Sequence, residues 1–437
     1  MFFQKEIETM SRKEMNELQL NKLKWMVGYC MDNVPFYTKK LKEAGVTPEK
    51  IKSLSDIQYI PVTTKDDLRD NYPFGNFAAP MKKIVRIHAS SGTTGKPTVV
   101  GYTKNDLEIW SDCMARLLAA VNVTDEDIAQ VSFGYGMFTG ALGLHYGLEK
   151  LGAAVVPNSS GNTEKALMFM RDFKTTTLIA TPSYALHMAE VANELEYPMS
   201  DYHLKNGVLG SEGCTPEMRD QIEKAWGMFV TDNYGMSELM GPGVSGECYL
   251  RQGLHFNEDH FLPEIVDSKT LEPKKPGESG ELLVTTLSKE GFPLLRYRTK
   301  DITRLNYEPC ACGRTGVRMD KVMGRSDDML KIRGVNVFPS QIESVLVPIE
   351  QIGPHYQLVV RREGCADTLE VKVELIDGSV LERYTDIETL KKKIQHNLHT
   401  VLGIQCKVTL GEPKSIQRFI GKANRIVDLR NSKGDNK

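Results

Sequence analysis

At 437 residues the chain is too long for one ordinary hydrophobic core, so two or more domains are expected. Hydrophobic content of 41% and charged content of 26% are those of a soluble globular protein, and a net charge of −2 supplies neither the basic footprint of a nucleic-acid binder nor a polybasic membrane anchor. The first thirty residues lack the basic-then-apolar layout of a signal peptide, and the longest uncharged stretch, Val131 to Leu148, carries five glycines and makes a poor membrane span. The expected compartment is the cytoplasm, where eight unevenly spaced cysteines would stay thiols or metal thiolates.

Apolar residues recur at helical spacing from Phe3 to Cys30, and Asn33-Val34-Pro35 stops that helix or helix pair. Thr64 can cap a short helix with acids in its first turn. Ile84 to Ile87 and Val99 to Tyr102 read as strands around the loop Ala89-Ser90-Ser91-Gly92-Thr93-Thr94-Gly95-Lys96-Pro97. Gly92 and Gly95 let the backbone turn its N–H groups inward, the hydroxyls of Ser90, Ser91, Thr93 and Thr94 add donors, and Lys96 adds charge suited to a polyphosphate. A Walker loop is excluded, because Pro97 follows the lysine, a serine stands at the first glycine, and a strand rather than a helix comes next. A surface loop without ligand is the bland alternative, which the particular order of these nine residues disfavours. The loop resembles the phosphate-binding signature of the acyl-adenylate-forming superfamily of acyl-CoA synthetases, adenylation domains and luciferases.

Lys104 to Val121 is an amphipathic helix, and strand, turn and helix then repeat through Ile128 to Ser132, Ala153 to Pro157 and Thr177 to Pro182. The pattern predicts an α/β fold with a largely parallel sheet. Phe133, Tyr135, Gly136 and Phe138 form a glycine-aromatic turn that reads as a wall for an apolar substrate, with core packing of Phe133 and Tyr135 as the alternative. Ser211, Glu212 and Gly213 occupy a second polar loop, in which Cys214 has no neighbouring histidine to make it a nucleophile. Next, Tyr234 can stack on a purine and Glu238 can hold the Mg²⁺ that bridges phosphates. The run Tyr234-Gly235-Met236-Ser237-Glu238 matches the superfamily's Tyr-Gly-x-Ser/Thr-Glu signature.

Tyr297-Arg298-Thr299-Lys300-Asp301 resembles the next signature, with Lys300 in place of the usual glycine and Asp301 in register to accept from both ribose hydroxyls. Gly324 to Gly334 resembles the junction between a large and a small domain; there the resemblance gives Arg325 to ribose or phosphate, Asp327 to the hinge, and Lys331, Arg333 and Gly334 to the coenzyme A side. Ser340-Gln341-Ile342-Glu343 reads as a capping box. Strands over 356–360, 369–375 and 406–410 with a helix over 386–401 make a compact α+β unit. Gly421-Lys422-Ala423-Asn424-Arg425 matches the lysine loop that ends the superfamily's small domain. The expected division is a large domain over 1–326 and a small mobile α+β domain over 327–437, with a disordered tail from about 431.

Cys310-Ala311-Cys312-Gly313 has the shape of a knuckle offering two thiolates to Zn²⁺, and Cys248 with His255 or His260 could complete a closed, structural tetrahedral set. Unpaired buried cysteines are the alternative.

The resemblance runs from about Pro61 to Lys422, and its nearest form is the phenylacetate–CoA ligase group. It implies a carboxylate attacking the α-phosphate of ATP to give an acyl-adenylate and pyrophosphate, with Mg²⁺ on Glu238 and with Lys422 stabilising charge, followed by displacement of AMP by coenzyme A. Phenylacetate is the acid it implies first. Another acid, an amine or carrier-protein acceptor, or deazaflavin adenylylation stay open, as does a nucleotide sensor with a degenerate site; the relatives are often homodimers, and the residues leave monomer and dimer open.

Overall fold

The computed structural model of the chain describes residues 1–90, 97–159, 161–326, 330–332, 335–363, 366–378, 384–417 and 425–430. Ser91 to Lys96, Asp327, Arg333, Gly334, Lys422 and the tail from 431 therefore lie outside the described residues.

Ser11 opens the helix Arg12–Asn33 through a reciprocal capping box with Glu14. Leu23, Met26, Val27 and Cys30, spaced for one helical face, are fully buried against Tyr37, Ile57, Leu287 and Leu295. Pro35 does more than end this helix. It is the first residue of the next, Pro35–Glu43, since a proline needs no N–H partner there. Thr64 caps Lys65–Asp70 as the sequence predicts, with Asp67 closing the box. Just ahead of it, Thr63 exchanges backbone bonds with Arg296 and Arg298, which ties this helix to the strand Tyr297–Thr303.

The main sheet runs, in spatial order, Ala154–Val156, Ile128–Val131, Thr177–Ala180, Asn206–Gly210, Phe229–Met236, Gly241–Glu247, Leu254–Phe256, Arg318–Met319 and Leu305–Asn306. Its first five strands are parallel, as predicted for α/β patterning; from Phe229–Met236 onward the pairs are antiparallel. Helices Lys104–Ala120 and Gly140–Leu151 pack closely because Gly143 and Gly147 face Trp110 and Met114. A Cβ on either glycine would lie 2.4 or 2.3 Å from those side chains. A second, antiparallel sheet holds Phe261–Val266, Gly280–Thr286, Tyr297–Thr303 and Gly324–Arg325. The phosphate hairpin begins two residues later than its sequence suggests, at Arg86–Ala89. Its partner strand ends at Tyr102, opposite Arg86, so the apolar Ile84 lies beyond the ladder.

Residues from Leu330 to Val408 build a core of their own. In it the strand Ala366–Leu375 buries Leu369, Val371, Val373 and Leu375 in strict alternation and pairs with Ile352–Glu363. Lys407–Gly411 and Ile426–Asp428 flank this pair in parallel, the latter unforeseen from the sequence. The capping box expected at Ser340 is not there. The helix Pro339–Leu346 starts two residues earlier, with Phe338 at its cap: Gln341 accepts from Phe338 N at 2.9 Å, and the Ser340 hydroxyl instead donates to Met323 O at 2.6 Å. The small domain touches the large one through Gln221 Nε2 on Val347 O (3.2 Å), His355 on Glu190 (3.5 Å) and Lys414 on Glu194 (2.6 Å).

Candidate active site

The base of the hairpin and the segments around Met137 and Ser237 are joined by hydrogen bonds. Ser90 N donates to Thr98 O at 2.9 Å and Thr98 N to Ser90 Oγ at 3.2 Å, so the base of the phosphate loop is closed on both sides. The glycine-aromatic turn docks directly on it: Ala89 N donates to Met137 O at 3.0 Å, and His88 Nδ1–H reaches the same oxygen at 3.1 Å. Burial keeps the His88 imidazole below its ordinary pKa, hence neutral.

Within that turn the four residues separate. Phe133, two residues past the strand Ile128–Val131, is buried in the main core, which is the core-packing alternative for it. Tyr135 is half-buried, its hydroxyl 3.0 Å from His145 Nδ1, whose other nitrogen lies 3.1 Å from Glu149 one helical turn on. Phe138 is 42% exposed. A Cβ placed on Gly136 or on Gly213 would meet nothing within 4 Å, so both glycines border open space.

In the second loop Ser211 takes a positive φ of 71°, Glu212 Oε1 accepts from Ser183 N at 2.6 Å, and Lys321 Nζ holds Cys214 O at 2.9 Å. Burial pushes the Cys214 thiol up to about 12, and it is no nucleophile.

Three separate signatures converge on one carboxylate. Tyr234 OH donates to Asp301 Oδ2 at 2.6 Å, and Arg325 NH1 donates to Asp301 Oδ1 at 3.1 Å and to Thr299 O at 3.1 Å. Tyr234 and Gly235 are the end of a strand rather than part of a turn, and the close approach at Gly235, where a Cβ would stand 2.0 Å from Gly241 O, holds the strand end in place. Beyond it Ser237 Oγ bonds Thr139 Oγ1 at 2.9 Å, which joins this segment to the glycine-aromatic turn. Glu238 is only 3% exposed, and its carboxylate lies 3.7 Å from the Lys65 ammonium. A buried carboxylate beside a half-exposed, movable lysine fits a place where a cation is exchanged. The backbone of Lys331 lies in the strand Leu330–Ile332, at the start of the small domain.

Sequence reasoning missed Lys65 and Lys289, a fully buried lysine whose Nζ donates to Glu238 O at 3.1 Å. Burial pulls Lys289 down to about 7 against the opposing charges of Asp106 and Glu238. No signal marked either residue, because a lysine in a turn or at a helix start reads as solvated.

Apart from the cleft, Cys248, His255, Cys310 and Cys312 bring one ligand atom each to within 4.8 Å of all the others, and all four residues are buried. Cys248 and Cys310 sulfurs are 4.0 Å apart, and Cys312 Sγ is 3.7 Å from His255 Nε2. Tetrahedral Zn–S bonds of about 2.3 Å put ligand atoms about 3.8 Å apart, so the set fits this ion. His260 is excluded: its ring is held by Asp259 (3.0 Å) and Ser288 (2.9 Å). The strand register decides between the two histidines, pairing His255 with Gly246, two residues before Cys248.

The AMP-binding enzyme family model matches residues 23–288, and that of the AMP-binding enzyme C-terminal domain matches 334–430. Phenylacetate–coenzyme A ligase of Thermus thermophilus is 47% identical over 444 residues, 98% of this chain and 100% of that protein. The chain belongs to the phenylacetate–coenzyme A ligase family. Its Escherichia coli member is 49% identical over 430 residues, 98% of each chain. Among solved structures this ligase-family chain resembles 2-hydroxyisobutyryl-CoA ligase in its postadenylation state with a bound acyl-adenylate, at a TM-score of 0.91 and 30% identity, over 97% of this chain and 91% of that one. Against the same enzyme in its thioesterification state the TM-score is 0.73, at 31% identity, over 98% and 92%. The small domain of this family member thus sits on the large one much as in the postadenylation state.

Proposed function

We propose that the cleft activates an aryl acid, phenylacetate first, and that the residues around Asp301 and Glu238 hold the nucleotide for it. The chain is an ATP-dependent, AMP-forming acid–CoA ligase acting through an acyl-adenylate. The observation that carries the assignment of the nucleotide end is the convergence of Tyr234, Asp301 and Arg325 from three stretches of sequence. An ionised carboxylate only accepts hydrogen bonds, which suits Asp301 to a pair of ribose hydroxyls, with Tyr234 and Arg325 fixing its orientation. Tyr234 would stack on adenine, against which the Ser211–Gly213 loop would lie. The loop Ser90 to Lys96 would grip the phosphates through inward N–H groups and hydroxyls.

Glu238 would hold Mg²⁺, which when bound neutralises phosphate charge. Lys65 can leave that carboxylate as the metal arrives. The acid's oxygen attacks the α-phosphorus, the bond to the bridging oxygen breaks, and pyrophosphate departs; Lys422 would neutralise charge on the acid and the α-phosphate. The coenzyme A sulfur then attacks the acyl carbon and AMP leaves. Positioning and charge stabilisation suffice, with no side-chain nucleophile. The open space beside Gly136 leaves room for the body of the acid, and the phenylacetate–coenzyme A ligase relatives support an aryl acid there. Asp327 would be the pivot that exchanges Lys422 for Lys331, Arg333 and Gly334 between the two half-reactions.

The cluster of Cys248, His255, Cys310 and Cys312 would hold a structural Zn²⁺, closed by four protein ligands. A pyrophosphate-release screen over aryl and alkyl acids, with and without coenzyme A, tests the substrate. Phenylacetate should lead and release should be followed by coenzyme A consumption; a faster straight-chain acid would refute the assignment.

A further inference from the structure

Lys289 has no exposed surface. It stands in the turn after the strand Gly280–Thr286, and that turn is pinned by Asp106, whose carboxylate accepts from Glu290 N at 2.7 Å and Gly291 N at 2.9 Å as well as capping its own helix through Thr103 N at 2.8 Å. The Lys289 amine lies 4.7 Å from the centre of the Tyr102 ring and 5.2 Å from that of Phe292, and the Tyr102 hydroxyl donates to Met240 O at 3.0 Å. Asp106, Tyr102 and Lys289 therefore form the floor beneath residues 238–240.

A buried amine is costly, and an apolar chain of the same length would fill this space more cheaply. What an apolar chain cannot do is donate the 3.1 Å hydrogen bond to Glu238 O. We propose that Lys289 is a positioning residue for the adenylation step: its amine fixes the main chain of Glu238, so that the carboxylate is presented to the metal that accompanies ATP. This rests on the assignment of Mg²⁺ to Glu238. Without the anchor the 238–240 turn can shift, which weakens the hold of the Glu238 carboxylate on the metal rather than the chemical step once metal is bound.

The test uses the full chain with Lys289→Met, which keeps length without a donor, and Lys289→Gln, which keeps a donor. ATP–pyrophosphate exchange is measured against free Mg²⁺ and against ATP, and binding of Mn²⁺–ATP is followed by loss of the free-Mn²⁺ electron paramagnetic signal, which needs no turnover. Lys289→Met should melt no lower than the parent, require about tenfold more Mg²⁺ for half-maximal exchange with a parallel rise in KM for ATP, and change kcat at saturating metal by no more than about twofold. Mn²⁺–ATP should bind about tenfold more weakly, Lys289→Gln should recover part of both shifts, and reaction of pre-made acyl-adenylate with coenzyme A should be unaltered. Should the methionine variant not fold, the glutamine variant is still expected to need more Mg²⁺ than the parent, and parental metal dependence there overturns the proposal. Glu238→Gln serves as the control. If it moves the metal dependence and a folded Lys289→Met does not, Lys289 is merely structural and the proposal is overturned; if Glu238→Gln itself leaves metal dependence unchanged, the metal assignment fails and the proposal with it.

Discussion

Replacing Asp301 by asparagine removes a charge but little volume, and the surrounding bonds dictate how the new amide must sit. Arg325 NH1 can only donate, so the amide oxygen must stay on its side, and the amide nitrogen is forced toward the Tyr234 hydroxyl, 2.6 Å away in the parent. Two ribose hydroxyls would then face a neutral oxygen and an amide donor instead of a carboxylate. Hydrogen bonds to charged groups contribute about 1.5 to 3 kcal/mol and neutral ones about 0.5 to 1.5, so two weakened bonds amount to about 2 to 3 kcal/mol. At about 1.4 kcal/mol per factor of ten, kcat/KM for ATP should fall by about thirty- to a hundredfold. The assay is acid-dependent pyrophosphate exchange at saturating Mg²⁺, run with ATP and with 3′-deoxy-ATP on both proteins as a thermodynamic cycle. The parent should lose heavily on the deoxy nucleotide, and Asp301→Asn should be nearly indifferent to it. If the variant discriminates between the two nucleotides by the same factor as the parent, Asp301 does not hold the ribose.

Protein purified without a metal-affinity tag should carry about one Zn²⁺ per chain, and Cys312→Ser should lower both metal content and melting temperature; metal-free protein with all three thiols open to modification would overturn the site. Lys422→Ala should depress pyrophosphate exchange about a hundredfold and nearly spare the reaction of pre-made acyl-adenylate with coenzyme A, whereas equal losses in a variant that melts like the parent would show the lysine serves both poses. Asp327→Pro should freeze the pivot and separate the two half-reactions, and equal slowing of both would place the pivot elsewhere. Burial pushes the Asp232 carboxyl up to about 7, so the folded state favours its protonated form; that contribution is present below the unfolded pKa near 4 and is lost as pH rises through 7. Asp232→Asn should accordingly raise the melting temperature at pH 8 relative to the parent and leave it nearly unchanged at pH 4; a parallel shift at both would refute the assignment.

The convergence of Tyr234, Asp301 and Arg325 was legible because each belongs to a short contiguous string, and the fold only had to bring the three strings to one point. The Thr64 cap was equally legible, since a capping box is local. What stayed open or failed was decided by long-range partners. Strand register settles that His255 rather than His260 joins the cysteines, Phe133 takes the core packing that was its alternative, and Ser340 abandons the helix for Met323 O across the domain junction. Lys289 was invisible for the same reason, since Tyr102 and the Asp106 that pins its turn stand far from it in sequence.

The knuckle that carries Cys310 and Cys312 is also where the beginning of the chain comes to rest. Arg314 pairs with Glu8, 306 residues away, at 2.8 Å, Thr315 Oγ1 donates to Met10 O at 2.6 Å, and Arg12 binds both Glu258 at 2.7 Å and Thr315 O at 3.2 Å. These partners are made last but needed first. At about 5 to 20 residues per second, a ribosome that has released Glu8 takes about 15 to 60 s to supply Arg314. During that interval the segment from Glu8 to Met10 lacks these partners, while the helix behind it already has Tyr37 and Ile57 to pack on. The first ten residues therefore stay open to proteases during synthesis for longer than the helices that follow them.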